Sequence, residues 1–116
     1  MIIFRPEAAR ELAADVRYYD ERYPGRGQRF AAAVEHTLAL IADFPLAFPV
    51  LYEPDIRSAK VSRFPYRVVY VVVGSNADIV AVAHAKRRPA YWRGRIAGER
   101  SQSFSYRLRT PRRPCM

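Results

Sequence analysis

Residues 66–83 constrain this chain more than any other stretch. Tyr66 to Val73 reads YRVVYVVV, almost wholly β-branched or aromatic, and Ile79 to Ala83 is a second apolar run, IVAVA. These residue types favour a pleated, buried surface. Between them, Gly74-Ser75-Asn76 supplies the turn chemistry of a hairpin. Upstream, Ile56 to Phe64 alternates weakly between polar and apolar residues and reads as a further strand. A sheet of this kind needs a layer over one of its faces.

The first half of the chain provides that layer. Ile2-Ile3-Phe4 is a short apolar run that suits a strand, and Pro6 follows where the first turn of a helix tolerates its fixed φ. Ala9, Leu12, Ala13, Val16 and Tyr19 recur at helical spacing, with Arg10, Glu11, Asp15 and Arg17 between them. Tyr23-Pro24-Gly25 breaks this helix, predicted to run to about residue 22. Phe30, Val34, Leu38 and Ile41 form the stripe of a second helix, stopped by Pro45 and Pro49. The predicted order is β-α-α-β-β-β: an α+β domain with an N-terminal strand and a helical hairpin packed on a mainly antiparallel sheet. With 116 residues there is room for one compact domain. We place it at 1–97, Pro89 opening a short helix to about Ala97. Residues 98–116 are expected to be a basic, loosely ordered tail, in which the alternation of Phe104, Tyr106 and Leu108 leaves an extra edge strand open.

The charge is unevenly distributed. Net charge is +9, but residues 1–50 carry six basic and seven acidic side chains, and residues 51–116 carry fourteen and four. A basic second half draws in polyanions such as nucleic acid or an acidic protein. No apolar run approaches the ~20 residues a membrane span requires, and the N-terminus turns polar too early for a signal peptide, so cytoplasm is the expected compartment. Cys115 is the single cysteine and His36 and His84 are far apart, so neither a disulfide nor a metal site is expected. No cofactor-binding motif is present, and none is expected to be needed.

The cations concentrate at Arg57, Lys60 and Arg63 before the Phe64-Pro65 corner, at Arg67 on the next strand, and in HAKRRPAYWRGR at 84–95. On adjacent strands ~5 Å apart they would form a basic face, away from the helices and poor in carboxylates. Cations with Tyr91 and Trp92 suit RNA: guanidinium and ammonium groups hold phosphate, and aromatic rings stack on unpaired bases. Each of these residues also has an ordinary structural reading. Tyr66, Tyr70 and Trp92 fit a core, His84 a backbone hydrogen bond at a strand end, and Arg93 and Arg95 a solvated surface.

Four segments together, FRPEAARELAADVRYY, RFAAAVEHTLALIADFP, VSRFPYRVVYVV and IVAVAHAKRRPAYWRGR, resemble the RelE/ParE superfamily of toxins from type II toxin-antitoxin systems, in particular members described as plasmid-stabilisation proteins. They occur in the family's order over about residues 2–96. The resemblance implies the α+β core predicted above and a cognate antitoxin with an acidic toxin-binding segment. It also implies one of two actions: metal-independent cleavage of mRNA on the ribosome, or capture of DNA gyrase without chemistry. Aligned on the Tyr66-Arg67 pair, Lys60, Arg67 and Arg87 fall on cations of the RNase members, and Tyr91 falls on their tyrosine with a gap. Ser58 stands where their first lysine would be. The resemblance would make Tyr91 or Lys60 the base toward a ribose 2′-OH, and Arg67 and Arg87 the stabilisers of the phosphate. Arg57, Arg63, Lys86 and Arg88 would contact nucleic acid or the target. The three aligned cations favour the RNase; gyrase capture, or a degenerate homologue that binds only antitoxin, are the alternatives.

Overall fold

The computed structural model describes residues 1–96. The predicted tail at 98–116 lies outside the described residues. The chain folds as β1 (Ile2–Phe4), α1 (Pro6–Arg22), α2 (Arg26–Asp43), β2 (Val50–Tyr52), β3 (Ile56–Lys60), β4 (Tyr66–Val73) and β5 (Asn76–His84). The sheet order is β1-β5-β4-β3-β2. β1 runs parallel to β5, and the other neighbours are antiparallel. The α+β architecture and helical hairpin agree with the sequence reading, as do the helix ends at Arg22 and Asp43.

Strand β2 is the element the sequence pattern did not announce. It is three residues long, lies at the sheet edge and pairs irregularly with β3. Two side chains hold its approach loop. The Tyr70 hydroxyl donates to the Pro45 carbonyl at 2.6 Å, and the Arg57 guanidinium donates to the Phe48 carbonyl at 2.6 Å. A segment carrying Pro45 and Pro49 thus gains its order from the sheet beneath it rather than from local periodicity. The helix predicted to open at Pro89 starts later: residues 89–92 are turns, and helix begins at Arg93 and runs to the end of the described residues.

The sheet has two apolar faces. On the helix side, Ala59, Val61, Tyr66, Val68, Tyr70, Ile79 and Val82 pack under Ala8, Phe30, Val34 and Ile41. Aromatic rings consolidate one end: Phe30 lies 4.6 Å from Tyr66 and 5.1 Å from Phe64. Burying a phenylalanine is worth about 1.5–3 kcal/mol, so this cluster anchors α2 to the β3–β4 corner. On the other face, Ile56, Val69, Val80 and Ala81 are covered by Trp92 and Ile96. Trp92, 2% exposed, is a core anchor.

The helices approach closely where they are joined. Gly25, at φ +88, turns the chain, and Gly27 lies against α1, where a Cβ would stand 2.3 Å from the Val16 carbonyl oxygen. Asp20 accepts a hydrogen bond from the Gly27 amide at 2.8 Å, which satisfies one of the free N–H groups at the start of α2.

Candidate functional site

Strand alternation determines which cations share a face. Ala59 faces the helices, so Ser58 and Lys60 project to the opposite side, and Arg67 joins them from β4. Lys60 and Arg67 are direct cross-strand neighbours, both exposed. The Arg67 guanidinium donates to the Ser58 hydroxyl at 3.1 Å. Ser58 is 2% exposed, so the position that would hold a first lysine is a buried hydroxyl that steadies Arg67.

Arg57 is not on that face. It lies on the helix side of β3, where it ties the loop before β2, so its placement in the basic face is corrected by strand parity. Arg63 also departs, sitting in the β3–β4 corner at φ +71 and lining a groove against α2. Lys86, Arg87 and Arg88 are exposed in the turn after β5. His84 caps that turn by accepting from the Lys86 amide at 2.9 Å, the structural role read for it in the sequence.

Arg87 and Tyr91 form a second pair. The Arg87 guanidinium sits 3.9 Å from the centre of the Tyr91 ring. The Tyr91 hydroxyl donates to Glu11 of α1 at 2.5 Å. Burial and the adjacent Glu11 carboxylate push the phenol well above its ordinary pKa. A phenol held protonated against a carboxylate is a donor, and a general base must be an acceptor. The expectation of Tyr91 as a base therefore runs against its hydrogen bonding, which suits a clamp.

Glu11 is the residue the sequence reading missed. Beyond the end of β1, β5 has a free edge, and Glu11 Oε1 accepts the Val82 amide there at 3.1 Å. Arg95 closes the same edge, donating to the Val80 carbonyl at 2.9 Å and to both Glu11 oxygens at 2.9 and 3.1 Å. Burial works against the Arg95 charge and is the largest single influence, yet the hydrogen bond to Glu11 and the charges of Glu11, Tyr91 and Glu7 together outweigh it and raise the guanidinium pKa. Arg95 was expected to be solvated; it is instead part of the latch that holds the 89–96 segment over the sheet. The expected scarcity of carboxylates also fails at this edge, because α1 supplies Glu11 and Asp15. Burial raises the Asp15 carboxyl pKa, against a lowering hydrogen bond from Tyr66. The signal was present as Glu11 and Asp15, spaced i,i+4 and flanking the Leu12 and Val16 stripe.

Among the described residues no group of three or more His, Cys, Asp or Glu side chains could hold a metal, and no helix is long and apolar enough to cross a membrane. Of the cations read from the sequence, two sets are presented together: Lys60 with Arg67 on the open sheet face, and Arg87 with its neighbours where β5 meets α1.

Comparison with known proteins agrees with this architecture. A solved structure titled "Chromosomal ParDE TA system from P. aeruginosa" has a similar fold, with a TM-score of 0.60 at 15% identity, covering 73% of this chain and 95% of that one. No curated protein matches by sequence. The family model described as "ParE toxin of type II toxin-antitoxin system, parDE" matches residues 2–89. Since that match takes in every strand and both helices, the chain belongs to the ParE toxin family of type II toxin-antitoxin systems.

Proposed function

We propose that this protein is the toxin of a type II toxin-antitoxin pair and acts by capturing DNA gyrase, with no bond-making step of its own. A cognate antitoxin with an acidic toxin-binding segment neutralises it. One observation carries the choice of mechanism: the residues an RNase would draw together have separate commitments. Arg67 is bonded to Ser58, whereas Arg87 stacks on Tyr91, whose hydroxyl donates to Glu11. A base and a phosphate clamp must converge on one reacting centre, within hydrogen-bond reach of it. Groups already committed to separate partners are better suited to binding than to in-line displacement.

The preference differs from the one the aligned cations supported in the sequence. Alignment registers residue type along the strand, but it does not register what each side chain bonds to. The RNase reading retains one favourable observation, the exposed Lys60–Arg67 pair, which could hold a phosphate. It lacks a base.

Purified full-length protein added to a gyrase supercoiling assay, and separately to translating ribosomes, discriminates the two. The proposal expects loss of supercoiling and intact mRNA. Cleavage of mRNA in the ribosomal A site with supercoiling unaffected, and loss of that cleavage in Arg67→Ala/Arg87→Ala, would establish the RNase instead.

A further inference from the structure

A third set of cations lies on the helix side of the β3–β4 corner, across the sheet from Lys60 and Arg67. There a groove of about 500 Å³ runs between α2 and the corner, with Ala32, Ala33 and Phe64 as its apolar lining and Arg26, Arg29 and Arg63 as its charged lining. The Arg26 guanidinium is held among three rings, 5.3 Å from Phe64, 5.4 Å from Tyr19 and 5.7 Å from Tyr23. Its Nε is buried with no hydrogen-bond partner among the described residues.

This placement runs against local electrostatics. The start of a helix carries the positive end of the backbone dipole and favours acidic side chains. The first turn of α2 contains no acidic residue, and Arg26 and Arg29 lie in it instead. No carboxylate pairs with Arg26, Arg29 or Arg63 among the described residues. Asp20 of α1 brings a carboxylate to the Gly27 amide at this helix start, but it pairs with none of the three guanidinium groups, whose charge is left for a partner to meet.

We infer that this groove is a docking site for an acidic peptide segment of a partner protein. An apolar side chain of the peptide lies over Ala32, Ala33 and Phe64, and flanking carboxylates meet Arg26, Arg29 and Arg63. A guanidinium presents a planar fork that matches a carboxylate in two hydrogen bonds, and the rings hold Arg26 in place before the partner arrives. A peptide fits better than a nucleic acid strand, because base recognition needs free aromatic faces. Here the Tyr19, Tyr23 and Phe64 rings are already engaged by Arg26. An antitoxin has this chemistry; that identification alone rests on the toxin reading, whereas the docking site rests on the groove.

The test is an amide chemical-shift titration of the full-length protein with the peptide Ac-Glu-Glu-Leu-Glu-Glu amide, run beside inorganic phosphate and a short single-stranded DNA. The expected result is saturable shifts in residues 26–36 and 62–64 with the peptide. Arg29→Gln combined with Arg63→Asn should weaken peptide affinity about tenfold or more, since rim charges act through complementarity. Asparagine tolerates the left-handed backbone at position 63, so the corner is retained. Lys60→Gln, on the other side of the sheet, should bind as the parent does. Four results would overturn the inference: shifts centred on Lys60 and Arg67, equal binding by the double variant, DNA or phosphate occupying the groove ahead of the peptide, or no saturation at millimolar peptide. The gyrase assay is indifferent to all four, so failure of the site and failure of the toxin reading are separable.

Discussion

Replacing Glu11 with alanine removes four hydrogen bonds at once: one to the Val82 amide, one to the Tyr91 hydroxyl and two to the Arg95 guanidinium. The Glu11 and Arg95 side chains are only 14% and 16% exposed, so solvent replaces little of what is lost. Removing one member of such a buried pair strands the other charge, at a cost of about 3–5 kcal/mol. Glu11→Gln keeps the shape and one acceptor oxygen while losing the charge-assisted bonds, and should cost about 2 kcal/mol. In a domain of this size each kcal/mol lowers Tm by ~4–8 °C, so the alanine variant should melt roughly 12–40 °C lower. Trp92 is the sole tryptophan and is buried within the segment that the latch secures, so its fluorescence reports the loss directly in a urea titration. A cycle combining Glu11→Gln with Tyr91→Phe should show a coupling of about 1–2 kcal/mol. Stability of Glu11→Ala within about 0.5 kcal/mol of the parent, the range of ordinary surface changes, would refute the latch.

Two further outcomes follow from the packing. Gly27→Ala would drive a Cβ into the Val16 carbonyl oxygen and the Asp20 carboxylate, and should destabilise by about 3 kcal/mol in thermal unfolding; a neutral effect would mean that the helices are not in contact there. Burial raises the pKa of Tyr66, Tyr70 and Tyr91 in the folded state, with carboxylate neighbours adding to the effect at Tyr66 and Tyr91. The unfolded chain loses these protons near pH ~10 while the folded chain keeps them, so their contribution is complete below that pH and falls above it. Urea midpoints should therefore decline as pH rises above about 10, and the decline should shrink in Tyr91→Phe.

Periodicity made the helices and the three long strands legible, because each depends mainly on its own residues. Strand β2 was not legible: Val50–Tyr52 is too short to show a period, and Tyr70 and Arg57, far along the chain, hold its approach. The site divided in the same way. Lys60 and Arg67 could be placed on one face by counting alternate residues along paired strands. The roles of Arg57, Tyr91 and Arg95 depended on what lay across from them, and no spacing within their own segments encodes that. Ser58 showed itself as a departure from the family lysine, but its burial against Arg67 became visible only in three dimensions.

The parallel seating of β1 on β5 has a consequence during synthesis. Ile2 is partnered with Ala77, so the first strand has no neighbour until 75 further residues have been made. At ~5–20 residues per second this delay is roughly 4–15 s. The latch closes later still, since Glu11 waits for Arg95. A nascent chain therefore has no completed sheet until residue 77 has been made, and the 89–96 segment covers the sheet later still. That timing ties the covered sheet to synthesis past residue 95 and leaves an interval in which a partner made in advance could meet the chain as it folds.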